Sequence, residues 1–401
     1  MPVSSTDLIH HAYVPPAGFA APQPGVFKAS TVFFPNVAAM RDFEWKDKSA
    51  YTYGLHGTPT SYTLEERLRT LEGGKQCLLV PSGLAAIANV SLALLKTGDE
   101  VLIPDNVYGP NKALAEGELR HWGISHQFYN PLNPHDLAAK ISPNTRLVWL
   151  EAAGSVTLEF PDLLEQVRIC QAAGVLCALD NTWGAGLAFA PFDLQPGSKT
   201  PLAVDISVHA LTKYPNGGGD VLMGSIVTQN DALHMRLKLC HMRLGLGVAA
   251  NDVESVLRGL PSIQLRYTAH DEATRALAHW CQTRSEFAQV LHPALANSPG
   301  HRHWQVLCHG GPGTAAGLFS VIFKPEYSQA QVDAFCDSLK LFEIGYSWGG
   351  PVSLVMPYDL ASMRAGWPEH LAQGTLVRFS IGLEAVEDLR ADLAAALQVL
   401  A

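Results

Sequence analysis

Short, mostly apolar runs recur along the first half of the chain at 77–80, 100–103, 147–151, 175–180 and 204–208. Continuous apolar text of that length predicts buried strands. Between them lie Ala/Leu-rich stretches with helical spacing, such as 84–95 and 162–172. Strand and helix in alternation predict an α/β chain with a mostly parallel sheet covered by helices on both faces. From Val248 a long helical pattern runs through Arg266 and on toward Val290, broken near Pro261. It leads to a smaller C-terminal α+β domain, with strands expected at 304–307, 317–323 and 376–380 and a last helix at 388–399. Residues 1–60 have little periodicity and many Pro, Gly, His and aromatic side chains, which predicts an arm packed on a neighbouring subunit. The expected division is therefore arm 1–60, a first domain 61–245 and a second domain 246–401. No internal repeat or low-complexity segment is visible.

Composition narrows the class. A chain of 401 residues exceeds a single hydrophobic core, and 47% hydrophobic content is ordinary for a globular protein. A net charge of −9 argues against nucleic acid or an anionic membrane as partner. The seven cysteines are odd in number and lack C-x-x-C spacing, and several sit in apolar text, which reads as reduced core packing. Neither a secretory leader nor an apolar run of membrane length is visible, so a cytoplasmic chain is expected.

The chemistry is carried by residues at the ends of the predicted strands. Lys213, in Thr212-Lys213-Tyr214-Pro215-Asn216-Gly217-Gly218-Gly219, follows one apolar strand. A desolvated lysine has a lowered pKa, and its neutral amine can join an aldehyde. Asp180, in Asp180-Asn181-Thr182-Trp183, closes another strand. Alone it reads as a helix cap. Beside Lys213 at the ligand-binding edge of a sheet it fits the partner of a protonated pyridine nitrogen, which points to pyridoxal phosphate (PLP). Ser82-Gly83-Leu84 opens a helix directly after a strand, and the free amides of such a helix start suit a phosphate. Tyr108 follows a further strand end and can stack on a flat ring. Arg378 stands in apolar strand text, which favours a buried role toward a carboxylate. By contrast, His301-Arg302-His303 and His10-His11 have no further ligands at fixed spacing, and His301–His303 reads as a solvated turn; no metal site is expected.

With Ser82-Gly83, Tyr108-Gly109, Asp180-Asn181-Thr182, Thr212-Lys213-Tyr214, Tyr346-Ser347-Trp348-Gly349-Gly350 and Val377-Arg378-Phe379-Ser380 in this order, the chain resembles the PLP-dependent enzymes of cysteine and methionine metabolism over nearly its whole length. The Tyr-Ser-Trp-Gly-Gly stretch favours the β-acting carbon–sulfur lyases, since γ-acting relatives usually carry another residue where Trp348 stands. The resemblance implies the PLP-dependent transferase-like fold (type I) and a homotetramer built from two dimers. It implies Lys213 as the lysine that holds the aldehyde and moves the Cα proton, Asp180 at the ring nitrogen and Tyr108 stacked on the ring. Ser82, Gly83, Leu84, Thr212 and Tyr53 would hold the phosphate, Tyr53 from the neighbouring subunit. Tyr346, Ser347, Trp348 and Arg378 would bind the amino-acid substrate. The implied reaction is α,β-elimination on cystathionine, giving homocysteine, pyruvate and ammonia in methionine biosynthesis. γ-Elimination or γ-replacement, cleavage of cysteine or cystine, and a PLP-fold binding or regulatory role remain the alternatives. A dinucleotide-binding reading of Gly245-x-Gly247-x-x-Ala250 and Gly311-x-Gly313-x-x-Ala316 fails, because neither run follows a strand and opens a helix.

Three departures from the family pattern stand out. Leu55 occupies a position where an arginine usually reaches the phosphate, with His56 next to it. Ala210 replaces a serine three residues before Lys213, and Gly218-Gly219 replace bulkier residues after it.

Overall fold

The computed structural model describes residues 5–10, 21–42, 48, 50–308 and 314–400. Its first sheet contains seven strands: β1 (Gln76–Val80), β2 (Glu100–Pro104), β3 (Ser125–Tyr129), β4 (Thr145–Glu151), β5 (Leu176–Asp180), β6 (Ile206–Ala210) and β7 (Gly224–Thr228). Their order is β1-β7-β6-β5-β4-β2-β3. The five strands from β6 to β3 in that order are parallel, and β7 runs antiparallel to both β1 and β6.

Side-chain alternation splits this sheet into two apolar faces. Leu79, Leu102, Val148, Leu150, Leu179 and Val227 belong to one buried cluster, and their neighbours Leu78, Val101, Leu147, Trp149, Ala178 and Ile226 to another. With both faces covered, a strand needs no polar register, which is why these strands read as continuous apolar text. Each fully buried Val or Leu contributes roughly 1.5–3 kcal/mol of transfer free energy. The helices on these faces are well marked locally. Pro59–Glu72 begins with a capping box between Thr58 and Ser61 and with proline in its first turn, and it ends at Gly73 in the left-handed conformation.

A second sheet of five strands has the order β10-β11-β12-β9-β8, with β8 (Phe287–Leu291), β9 (Leu318–Phe323), β10 (Glu343–Ile344), β11 (Leu354–Tyr358) and β12 (Leu376–Ser380). Helices Ile263–Cys281, Gln329–Ser338 and Val386–Ala396 bury one face of it, through Leu277, Phe335, Leu389 and Leu393 among others. On the other face Ile322, Leu291 and Leu376 pack with Val156, which belongs to the loop after β4. That contact joins the two sheets along the edge where the site lies.

Four local expectations need correction. Residues 304–307 are not a strand but part of the helix His301–Leu307, because a four-residue apolar run is too short to fix a period. His301 and His303 therefore lie on this helix and not in a solvated turn, and His301 Nδ1 hydrogen-bonds to the Pro293 carbonyl at 2.8 Å. The helical pattern extended toward Val290 stops at Cys281, and 287–291 pairs as β8 with β9. β6 begins two residues later than expected, and β3 and β7 carried no strand signal. β3 is a half-polar edge strand, Ser-His-Gln-Phe-Tyr, and pairs only with β2. Among the described residues no group of His, Cys, Asp and Glu could hold a metal, and no helix is long and apolar enough to cross a membrane. All seven cysteines are free and six are buried.

Candidate active site

Strand ends place the central pair. β5 ends at Asp180, beside Val208 of β6, and β6 ends at Ala210, from which the chain turns to Lys213. Thr182 ties the two ends together. Its amide and hydroxyl both donate to Asp180 Oδ1, at 3.0 and 2.5 Å, and its Oγ1 accepts the Ala210 amide at 3.0 Å. Burial raises the Asp180 pKa, while the two Thr182 bonds and the nearby His209 lower it. Behind Asp180, His209 Nδ1 lies 3.2 Å from Glu72 Oε1 in a fully buried pair. The Lys213 turn is itself held from below by Arg266, which donates to the Tyr214 carbonyl and the Gly259 carbonyl at 2.7 Å each. Gly217 adopts a φ of 72°, and a Cβ there would stand 2.1 Å from the Arg266 guanidinium, so glycine is required.

Lys213 Nζ donates to Ser347 Oγ at 2.6 Å and lies 5.4 Å from the centre of the Trp348 ring. Burial and the Arg378 charge bring its pKa down to about 8, against the pull of Asp180. Ser347 has a φ of 101°, in the region that disfavours side chains. Its carbonyl accepts from Arg378 Nη2 at 3.2 Å, so one strained residue links the lysine and the arginine. The loop fits closely over the lysine turn: a Cβ on Gly349 would be 3.1 Å from the Tyr214 amide, and Trp348 packs edge-on against Tyr214 at 5.5 Å. Arg378 is 7% exposed, and its Nε has no hydrogen-bond partner among the described residues. Its guanidinium lies 5.3 Å from the Tyr358 ring centre, and Tyr358 in turn meets the exposed Tyr346.

Around this pair stand the remaining expected residues. Ser82 caps the helix Gly83–Leu94 by accepting the Ala85 amide at 3.0 Å. The Gly83 and Leu84 amides open that helix without intrahelical acceptors. Gly83 and Gly224 allow the turn to lie on the strand ends, since a Cβ on either would come within 2.7 Å of Ala210 Cβ or 2.4 Å of the Ser82 carbonyl. Thr212 Oγ1 is engaged with the Met223 backbone, at 3.3 Å from its amide. The amide of Tyr108 donates to Glu151 Oε2 at 2.8 Å, which leaves the phenol ring partly open. Burial raises the Tyr108 hydroxyl pKa, and the Asp180 and Glu151 charges raise it further. Tyr53 is the exception. It is half-exposed, its ring contacts His56, and it pairs with Thr31. His56 Nδ1 lies 2.6 Å from Thr52 Oγ1, and burial and the Lys238 charge lower its pKa. Thr182, Arg266, Glu151, Gly224 and Tyr358 were not read from the sequence. Only Thr182, two residues beyond Asp180, carried a local signal.

A buried carboxylate, a lysine of lowered pKa and a helix start with free amides along one sheet edge fit a phosphorylated pyridine aldehyde. Asp180 has no side-chain cation within ion-pair distance among the described residues, and a pyridinium nitrogen would supply one. The fold and site thus define a pyridoxal-phosphate-dependent enzyme. The chain belongs to the family described as Cys/Met metabolism PLP-dependent enzyme, whose profile matches residues 5–398. It is 38% identical over 373 residues to a putative cystathionine beta-lyase of Rhizobium johnstonii, covering 92% of this chain and 89% of that one. It is 37% identical over 376 residues to a cystathionine beta-lyase of Bordetella avium, covering 92% and 90%. Among solved structures, metB from Corynebacterium glutamicum superposes with a TM-score of 0.86 at 27% identity, covering 99% of this chain and 98% of that one.

Proposed function

We propose that this enzyme cleaves cystathionine by α,β-elimination, to homocysteine, pyruvate and ammonia. One observation carries the reading. The lysine amine and the carboxylate-ready guanidinium of Arg378 meet on the two sides of Ser347, in the Tyr-Ser-Trp-Gly-Gly loop. The names of the relatives support the same reaction.

The cofactor, held through its aldehyde by Lys213, supplies an electron sink for the charge that develops at the substrate Cα. The rest is done by the chain. Arg378 Nε and Nη2 offer a fork to the α-carboxylate, next to the Ser347 carbonyl, and so set the direction of the Cα–H bond. Lys213 Nζ would take the Cα proton, and an amine with a pKa of about 8 suits a base near neutral pH. Asp180, oriented by Thr182, keeps the ring nitrogen protonated. The Gly83 and Leu84 amides, with Ser82, hold the phosphate at the positive end of their helix. Tyr108 would cover the ring, and Trp348 lies beside Lys213 at 5.4 Å from its Nζ. Thr212, whose Oγ1 meets the Met223 backbone and supports the lysine turn, would be a further hydroxyl donor to the phosphate.

Tyr53 is half-exposed, and its contacts with His56 and Thr31 lie in the N-terminal segment, which supports a homo-oligomer in which residues 1–60 complete the neighbour's site. A tetramer of two dimers, division into a cofactor domain 61–245 and a second domain 246–401, and cytoplasmic location complete the proposal. The test is product analysis with cystathionine. Pyruvate and homocysteine in equal amounts, absent with Lys213→Ala, are the expected result, and 2-oxobutyrate as main product would overturn β-elimination.

A further inference from the structure

The segment between β11 and β12 carries a buried cation that the site chemistry does not use. Arg364, 6% exposed at its side chain, donates from Nε to Asp105 Oδ2 at 2.8 Å and from Nη1 to Glu159 Oε2 at 2.9 Å. Glu159 is fully buried, and the same Oε2 accepts Asn106 Nδ2 and Thr157 Oγ1 at 2.8 Å each. His370, six residues beyond Arg364, contacts Glu159 Oε1. Lys112 adds a second tie, donating to Asp105 Oδ1 and to the Met363 carbonyl at 2.8 Å each. Burial pushes the Glu159 carboxyl up, and the bonds from His370 and Arg364 more than reverse this, to about 2.

The anchored residues decide what the cluster does. Asp105 and Asn106 lead directly into Val107 and Tyr108, and a Cβ on Gly154 would stand 2.0 Å from Asn106 Nδ2, so this turn has no slack. The strap that holds Arg364 begins after Tyr358 and ends before Arg378. The cluster therefore ties the turn that leads into Tyr108, in the first sheet, to the strap that precedes β12, the strand of Arg378 in the second. A purely stabilising salt bridge would not need to be buried, because removing two charges from water costs several kcal/mol per ion.

We infer that Arg364 is a positioning residue, which fixes the height of Tyr108 over the cofactor relative to the substrate carboxylate at Arg378. Resting on the proposed role of Tyr108, the inference predicts an effect that passes through that ring. Arg364→Lys keeps the charge but loses the fork. It should lower kcat/KM by about 10- to 100-fold, in the range that a small misplacement costs. It should also change the visible circular dichroism of the bound cofactor in the same direction as Tyr108→Leu does. In the Tyr108→Leu background the further loss should shrink to within about twofold. Lys112→Met, at the less buried tie, should show a weaker version of the same pattern, and it serves if Arg364→Lys does not fold. A variant with a lowered melting temperature but unchanged dichroism and kcat/KM would show a merely structural clamp and overturn the inference. Full multiplicative losses in the double variant would overturn it as well. If Tyr108→Leu alone changes neither dichroism nor kcat/KM, the role of Tyr108 fails first, and the inference falls with it.

Discussion

In Arg378→Met the guanidinium gives way to an unbranched apolar side chain of similar length, at a position 7% exposed. The structure lets the stability change be worked out with its sign. Lost are the bond to the Ser347 carbonyl, long at 3.2 Å and worth about 1 kcal/mol, and the contact with the Tyr358 ring, worth about 2 kcal/mol when desolvated. Removed at the same time is a buried cation that has, among the described residues, no carboxylate partner and an unpaired Nε, a desolvation penalty of several kcal/mol. The sum is near zero or favourable to the variant, so the melting temperature should stay level or rise. Catalysis moves the other way. Two charge-assisted bonds to the substrate carboxylate, at about 1.5–3 kcal/mol each, imply a loss of roughly 10²–10⁴ in kcat/KM. The assay pairs thermal unfolding of the holoenzyme with initial rates of pyruvate release. A marked fall in melting temperature with kcat/KM within about threefold of the parent would refute the argument and make Arg378 structural.

Three further outcomes follow from the same geometry. With the Lys213 pKa near 8, about a tenth of its amine is neutral at pH 7, far more than for an ordinary lysine. Recapture of PLP by apo-protein should therefore speed up as pH rises from 6 to about 8 and then level off; a rate still climbing tenfold per unit at pH 9 would contradict the burial argument. Asp180→Asn should leave melting of the apo-protein unchanged while lowering turnover by at least ~10²-fold, because the carboxylate that ends β5 and is oriented by Thr182 loses its charge; near-normal rates would move the carboxylate role elsewhere. Tyr53→Phe should weaken PLP binding by roughly ten- to hundred-fold through one lost bond to a charged group, with turnover at saturating PLP little changed. Equal PLP affinities, or a fully active monomer by light scattering, would show that each chain completes its own site.

The sequence by itself determined the parallel core and the chemistry at its edge. Apolar runs at β1, β2, β4 and β5 need no partner information, because a strand buried on both faces is uniform in composition. Asp180, Lys213 and Ser82-Gly83 were legible for a similar reason, since each follows its strand directly and strand ends of a parallel sheet share one edge. Tertiary structure decided the rest. β7 is inserted antiparallel between β1 and β6, and only the close approach of Ser82 explains why it starts at Gly224. Whether 304–307 would be helix or strand lay in its packing, not in four residues of pattern. Arg266 lies 52 residues from the Tyr214 carbonyl that it holds under the lysine turn, and Arg364 lies 205 or more from Glu159 and Asp105. Their meaning arises only when the two sheets pack together and a charged side chain must find its partners away from water. Sequence spacing carries no trace of that encounter, because it is set by burial and not by local backbone preference.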